Sequence, residues 1–448
     1  MTGTGEAPLV APGQTATTMT DAVCAVPLGG ASYRWWWAAF VPALALLAGM
    51  AVAVGRLFYL GIRIWGNNWP NVWGFDILSY VWWIGIASGG TFISAFFFLV
   101  RVEWRTAINR IAETMTLFSA LCAALYPILH LGRPWYFYWL FPYPNTMDLW
   151  PNFKSPLMWD FIAILTYVVA SALFWLFGLL PDLATLRDRA AGRRTRILYG
   201  IAALGFRGDD GQWRHFRATY AVMAAVMAPL VCSVHSVVGL DFAGGEAAGW
   251  HASFYPPFFV FGAVLSGFAA VLLLVIPLRR IWRFHAYITA RHIDVLCRLT
   301  LTASLCVSYA YLVEIFTVYY AQDATELRMF HERLFGFDSG VYWATIVLNC
   351  LLPQLYWWRA ARRTIPTVLV VSLGAVAGMW LERYGIVIQI PRIGPLPSSW
   401  GYYHPTLWDW TLFAGTVGLF ATGFLLTIRV VPAISMFEMR ALLPARRA

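Results

Sequence analysis

The sequence predicts an all-α integral membrane protein of about ten transmembrane helices, and three observations carry that expectation. Of the 448 residues, 60% are hydrophobic and only 12% charged, whereas soluble domains carry roughly 25% charged residues. The apolar residues fall into about ten runs, each long enough to cross a bilayer and too long for a strand. Arginine is concentrated in alternate loops, as a multi-pass topology requires.

Residues 1–34 are rich in Thr, Ala, Gly and Pro and lack a basic start before an apolar core. They read as a flexible cytoplasmic tail rather than a cleavable signal peptide. The runs follow at about 35–60, 75–100, 109–131, 155–180, 215–240, 255–279, 292–320, 340–358, 365–390 and 407–432. Two short patterns recur. Gly85-x-x-x-Gly89-Gly90 in the second run returns as Gly262-x-x-x-Ser266-Gly267 in the sixth, and Ser155-x-x-x-Trp159 returns as Ser339-x-x-x-Trp343. In that register Asp160 faces Ala344, so only the first half keeps the carboxylate. The expected layout is therefore a flanking helix and loop (35–74), a four-helix bundle (75–241), a second four-helix bundle (242–391), and an outer loop, last flanking helix and tail (392–448).

Loops after the even-numbered runs hold Arg101 and Arg105, a group from Arg187 to Arg214, Arg279 to Arg291, and Arg359 to Arg363; the tail adds Arg440, Arg446 and Arg447. The opposite loops hold only Arg63, Arg133, Lys154, Arg328, Arg333 and Arg392. The positive-inside rule then puts both termini in the cytoplasm and the 130–160 loop outside. The formal charge of +10 follows from this topology and does not indicate nucleic acid. The six cysteines show no CxxC or CxxCH spacing, which argues against an iron–sulfur cluster or covalent haem in this chain, and no metal site is expected.

The stretch Tyr126–Asp160 draws the eye. An apolar run ends at His130, the chain turns through Gly132-Arg-Pro134 and an aromatic loop, and the next run carries Asp160. At about 1.5 Å per residue, Asp160 lies roughly 8 Å inside that run. His235 and Asp241 end the fifth run, Glu382-Arg383 nears the outer end of the ninth, and Glu314 has a similar level in the seventh. Ionisable residues at membrane depth mark functional sites by default. Singly, each has a structural alternative: His130 can serve the last helix carbonyls, His235 can bond a neighbouring helix, and Glu382 and Arg383 can pair across helices. Asp160, with no basic residue within a helical turn or two, is hardest to explain that way. A flat apolar slot with His and Asp acceptors suits quinol oxidation, which releases two protons.

His130-Leu-Gly-Arg-Pro134, Ser155-Pro-Leu-Met-Trp-Asp160, Ser233-Val-His235 with Asp241-Phe, Gly249-Trp-His251 through Tyr255-Pro-Pro257, Trp380-Leu-Glu-Arg383 and Leu396-Pro-Ser-Ser-Trp400-Gly together resemble the NrfD/PsrC family of quinone-binding membrane subunits. Length and the GWH and PSSWG segments are most similar to the larger such subunit of alternative complex III. The resemblance implies menaquinol or ubiquinol as substrate and no haem in this chain. It also implies a bacterial inner-membrane location, a periplasmic iron–sulfur partner, multihaem cytochromes c and a second NrfD-like subunit. By motif, His130 and Asp160 take the catalytic positions, with Tyr126, His235, Asp241 and Arg383 around the quinol.

A proton path is a second expectation. Glu113 and Asp294 open the third and seventh runs, hydroxyls including Ser308 follow, and Glu314 lies outward. Two rival readings are a haem-b quinol dehydrogenase subunit, with His130 and His235 as a ligand pair, and a two-repeat secondary transporter.

Overall fold

The computed structural model describes residues 8–29, 33–140, 156–245, 247–250, 252–394 and 396–443. We number the helices α1 (Ala16–Cys24), α2 (Arg34–Ile64), α3 (Phe75–Leu99), α4 (Asn109–His130), α5 (Pro156–Arg189), α6 (Arg193–Ala202) and α7 (Asp210–Ala243). There follow α8 (Tyr255–Ile281), α9 (Ala290–Ala321), α10 (Ala324–Phe335), α11 (Ser339–Trp357), α12 (Ile365–Gln389), α13 (Leu407–Val430) and α14 (Met436–Leu442). Among the described residues, nine of these are long and apolar enough to cross a membrane, and the pair α10–α11, bent by 78°, makes a tenth span if counted as one.

The molecule is built around α3. Every residue from Phe75 to Thr91 is buried, the state of a helix that is apolar all round and enclosed by others. It packs on α4, α7, α8, α12 and α13. Helices α3, α4, α5 and α7 neighbour one another, as do α8, α9, α11 and α12, while α2 lies along α13 at the side. The seam between the two groups is α3 against α8, and there the glycine patterns meet. A Cβ on Gly89 would overlap the backbone of Gly267, and the reverse holds. Gly90 turns to α4, where a Cβ would collide with the Ala112 carbonyl and Thr116. Small residues thus set the closeness of the central helices. Ser155, half of the second repeated pattern, lies outside the described residues.

The N-terminal expectation needs correction. Residues 16–24 form a helix, closed at its start by reciprocal bonds between Thr15 and Thr18 of 2.9 and 3.2 Å. Met19, Val23 and Cys24 are buried on one face, Cys24 against Met436 of α14, and Gln14 accepts from the Tyr287 hydroxyl at 2.8 Å. At nine residues the helix is too short to hold by itself, and docking rather than propensity orders it.

At the end of the molecule that holds α1 and α14, buried charges tie the helices together. Arg110 pairs with Glu113 at 2.6 Å and Asp182 at 3.2 Å, and Tyr220 donates to Glu113 at 2.9 Å. Arg105 pairs with Glu438 at 2.7 Å, and the same carboxylate accepts from Asn109 at 3.3 Å. Such pairs tolerate burial only because each charge has several partners.

Candidate functional site

At the opposite end, α3 carries Asp76, Tyr80 and Ser88 at intervals of four and eight residues, hence on one face. Each meets a polar group from another helix. Asp76 sits in the first turn, where an acid is favourable, and its Oδ1 accepts from the amides of Gly74 and Ile77 at 3.1 and 2.8 Å. Its Oδ2 is 2.5 Å from Nδ1 of His130, the last residue of α4. One turn along, Tyr80 faces Asp160 near the start of α5 and Asp241 in the last turn of α7, and the two carboxyl groups interact with each other. Two turns further, Ser88 Oγ is 2.9 Å from His235 Nδ1. Still deeper, Thr91 and Tyr167 share a bond of 2.6 Å.

Arg383 approaches from the second group of helices and interacts electrostatically with His235. Its guanidinium lies 4.0 Å over the Phe259 ring and 2.8 Å from Glu382, whose other oxygen accepts from Tyr311 at 2.8 Å. The absence of a side chain at Gly262 makes room, since a Cβ there would stand 3.0 Å from Arg383 Nη2. Flat rings adjoin Asp241: Trp73 stacks on Trp250 at 5.5 Å, and the Phe242 edge meets Trp250 at 5.1 Å. Tyr126 Oη bonds Thr416 at 2.9 Å, a hydroxyl that also accepts from Trp83 at 3.0 Å.

Sequence and structure differ here in one respect. His130 and Asp160 come to the same end of the molecule, but their immediate partners are Asp76 for the first and Asp241 with Tyr80 for the second. Asp76 and Tyr80 were missed because Asp76 opens its run like any first-turn acid, and a tyrosine inside an apolar run carries no signal of its own. The i, i+4 spacing of the two was the available clue. The aromatic loop is described only to Leu140, with Trp135, Tyr136, Phe137 and Tyr138 exposed; residues 141–155 and His251 lie outside the described residues.

Chemically, the constellation is unfinished. Asp160 Oδ1, Asp241 Oδ1, Tyr80 Oη and His235 Nε2 are buried and make no hydrogen bond among the described residues. These four lie on titratable side chains along a single line of helices, and a polar ligand placed there would supply the partners that buried polar atoms ordinarily have. Among the described residues, no group of three His, Cys, Asp or Glu is placed to hold a metal ion.

All of these residues except Thr416 fall within a single matched region. The family described as Polysulphide reductase, NrfD, matches residues 63–391, which run from before α3 to the end of α12. The chain belongs to the NrfD family. It is accordingly a multi-pass protein of the cytoplasmic membrane. A Halobacterium salinarum protein named "Putative dimethyl sulfoxide reductase membrane subunit" is 28% identical over 431 residues, 91% of each chain. A protein of Mesobacillus selenatarsenatis named as a subunit of selenate reductase is 22% identical over 381 residues, 81% of this chain and 86% of that one.

In this NrfD chain the residues expected to form a proton path stand in ion pairs or bond helix carbonyls. Glu113 is held by Arg110; Asp294 lies 2.7 Å from both Arg298 and Arg362; Glu314 lies 2.5 Å from Arg333. Ser308 donates to the Ser304 carbonyl at 2.8 Å, and Thr300 to Leu296 at 2.8 Å. This is the ordinary back-bonding of hydroxyls in helices.

Proposed function

We propose that this NrfD chain is the quinol-oxidising membrane subunit of a multi-subunit oxidoreductase. The observation that carries the reading is the set of unpartnered buried atoms on Asp160, Asp241, Tyr80 and His235, and a cluster of rings, Phe242, Trp250 and Trp73, begins at the residue after Asp241. Quinol becomes quinone by losing two protons and two electrons. Asp160, backed by Asp241 and Tyr80, takes a proton from one ring hydroxyl. His235, close to Arg383, takes the second proton from the hydroxyl across the ring, and His130, held by buried Asp76, passes protons towards the aqueous boundary. The electrons leave to an iron–sulfur partner docked at the same end.

The relatives' names support this direction. Both are named as parts of reductases, and a reductase consumes electrons, which menaquinol or ubiquinol can supply. The finer form of the proposal is the larger NrfD-type subunit of alternative complex III, with multihaem cytochromes c, a second NrfD-like subunit and coupled proton translocation. Co-purification separates the two forms: a molybdenum-containing catalytic subunit marks the reductase, and cytochrome c absorbance in the isolated complex marks alternative complex III.

The site itself is tested by titrating the purified complex with a hydroxyquinoline N-oxide, a quinol analogue, and following quenching of its fluorescence. Saturable binding at one site per chain is expected, weakened about tenfold or more in Asp241→Asn, the loss of a charge-assisted bond. Absence of saturable binding, or equal affinity in the variant, overturns the reading.

A further inference from the structure

A cavity of about 760 Å³ lies at the end of the molecule opposite the proposed quinol site. It lies where the turn after α3, the start of α7 and helix α14 come together. Three guanidiniums, Arg101, Arg217 and Arg440, stand at its rim and are exposed, with Glu103 as the one exposed rim carboxylate. None of the three is ion-paired among the described residues: Arg217 lies 5.7 Å over the Trp213 ring, and Arg440 donates to the Thr20 hydroxyl at 3.2 Å. The floor is already neutral, because buried Arg105 is matched by Glu438 at 2.7 Å. The rim is therefore left with two uncompensated positive charges, three against one. Arg101 also adopts a φ of 57°, a left-handed conformation that a long side chain rarely takes, and such outliers gather at binding and switch sites.

We propose that this cavity binds the phosphate of an anionic glycerophospholipid. Depth chooses the occupant. Phe98 lies in the last turn of the α3 span and Trp213 in the first turn of α7, so the cavity sits at headgroup level, where aromatic rings mark the interface. Guanidiniums bind phosphate oxygens through paired N–H groups. Phe98, Trp213 and the outer side of Phe437 give the upper acyl chains an apolar wall. Basic pockets between spans at this level are suited to such headgroups. The site anchors α14, and through its contact with Thr20 also α1, to the bilayer surface.

The full chain, in its complex, is reconstituted into phosphatidylcholine bilayers with trace spin-labelled phosphatidylglycerol or spin-labelled phosphatidylcholine. The motionally restricted fraction of each label is then read by electron paramagnetic resonance. The labelled phosphatidylglycerol associates about threefold or more better than the labelled phosphatidylcholine, the size expected from several surface arginines. Arg101→Gln/Arg217→Gln/Arg440→Gln removes that preference, whereas Arg193→Gln/Arg194→Gln, two exposed arginines of α6 away from the cavity, leaves it. Millimolar inorganic phosphate does not displace the lipid. Equal association of both labels with the unaltered chain overturns the proposal, as does an equal loss in the α6 variant, which signifies general surface charge. Displacement by inorganic phosphate overturns it too, since the site then takes the free anion.

Discussion

Asp160→Asn lowers quinol oxidation by the complex by about a hundredfold or more, while the chain stays in the membrane at its normal level. The substitution keeps the shape of the side chain and removes its ability to accept a proton. Positioned acid–base groups contribute roughly 10²–10⁴-fold. Asp160 is buried, interacts with Asp241 and Tyr80, and leaves one oxygen without a partner, so it is placed to take the proton directly, with Asp241 behind it. The effect falls on kcat more than on KM, because an asparagine still hydrogen-bonds the ring oxygen. Steady-state assays with menaquinol and ubiquinol analogues and an artificial acceptor read this split. Turnover within a fewfold of the unaltered complex contradicts the assigned role.

Gly89→Leu prevents the central helices from meeting and removes most of the assembled protein. A Cβ at Gly89 runs into the backbone of Gly267, which cannot rotate aside as a side chain can. Overpacking a core costs about 1–3 kcal/mol and sometimes more, and a backbone collision lies at the upper end. A loss of that size lowers steady-state abundance several-fold. Size-exclusion profiles of detergent extracts carrying a fluorescent fusion report it. Gly85→Ala is the graded comparison, since its Cβ meets Ser266 Oγ at 3.3 Å, and it retains most of the protein. A normal profile for Gly89→Leu contradicts the close seam of α3 and α8.

Much of this architecture was legible in the sequence because bilayer thickness imposes a length on every span, and apolar runs of that length stand out. Their limits agree with the helices to within a few residues at most ends, and the run at 340–358 is helix α11. Hydropathy does not reveal which helix is enclosed by the others, so α3 looked like any other span, although its Gly85, Gly89 and Gly90 already hinted at close packing. The amphipathic α10 and the docked α1 were missed for a related reason: both are short and owe their order to what they pack against. At the candidate site, Asp160, His235, Asp241 and Arg383, on three different helices, were singled out by one rule, that ionisable side chains inside spans have a purpose. The partner of each was not readable, because pairing is set by helix rotation and neighbour choice. Hence His130 was expected beside Asp160, whereas it holds Asp76.

The central claim is that quinol enters among α3, α5 and α7. It is tested most directly by photolabelling the intact complex with an azido-quinone and mapping the attached residues by mass spectrometry. The account predicts labels on peptides containing Tyr80, Asp160 or Asp241, competed away by unlabelled quinone. Labels confined to the lipid-facing sides of α2 or α13, or left in place by the competitor, contradict it.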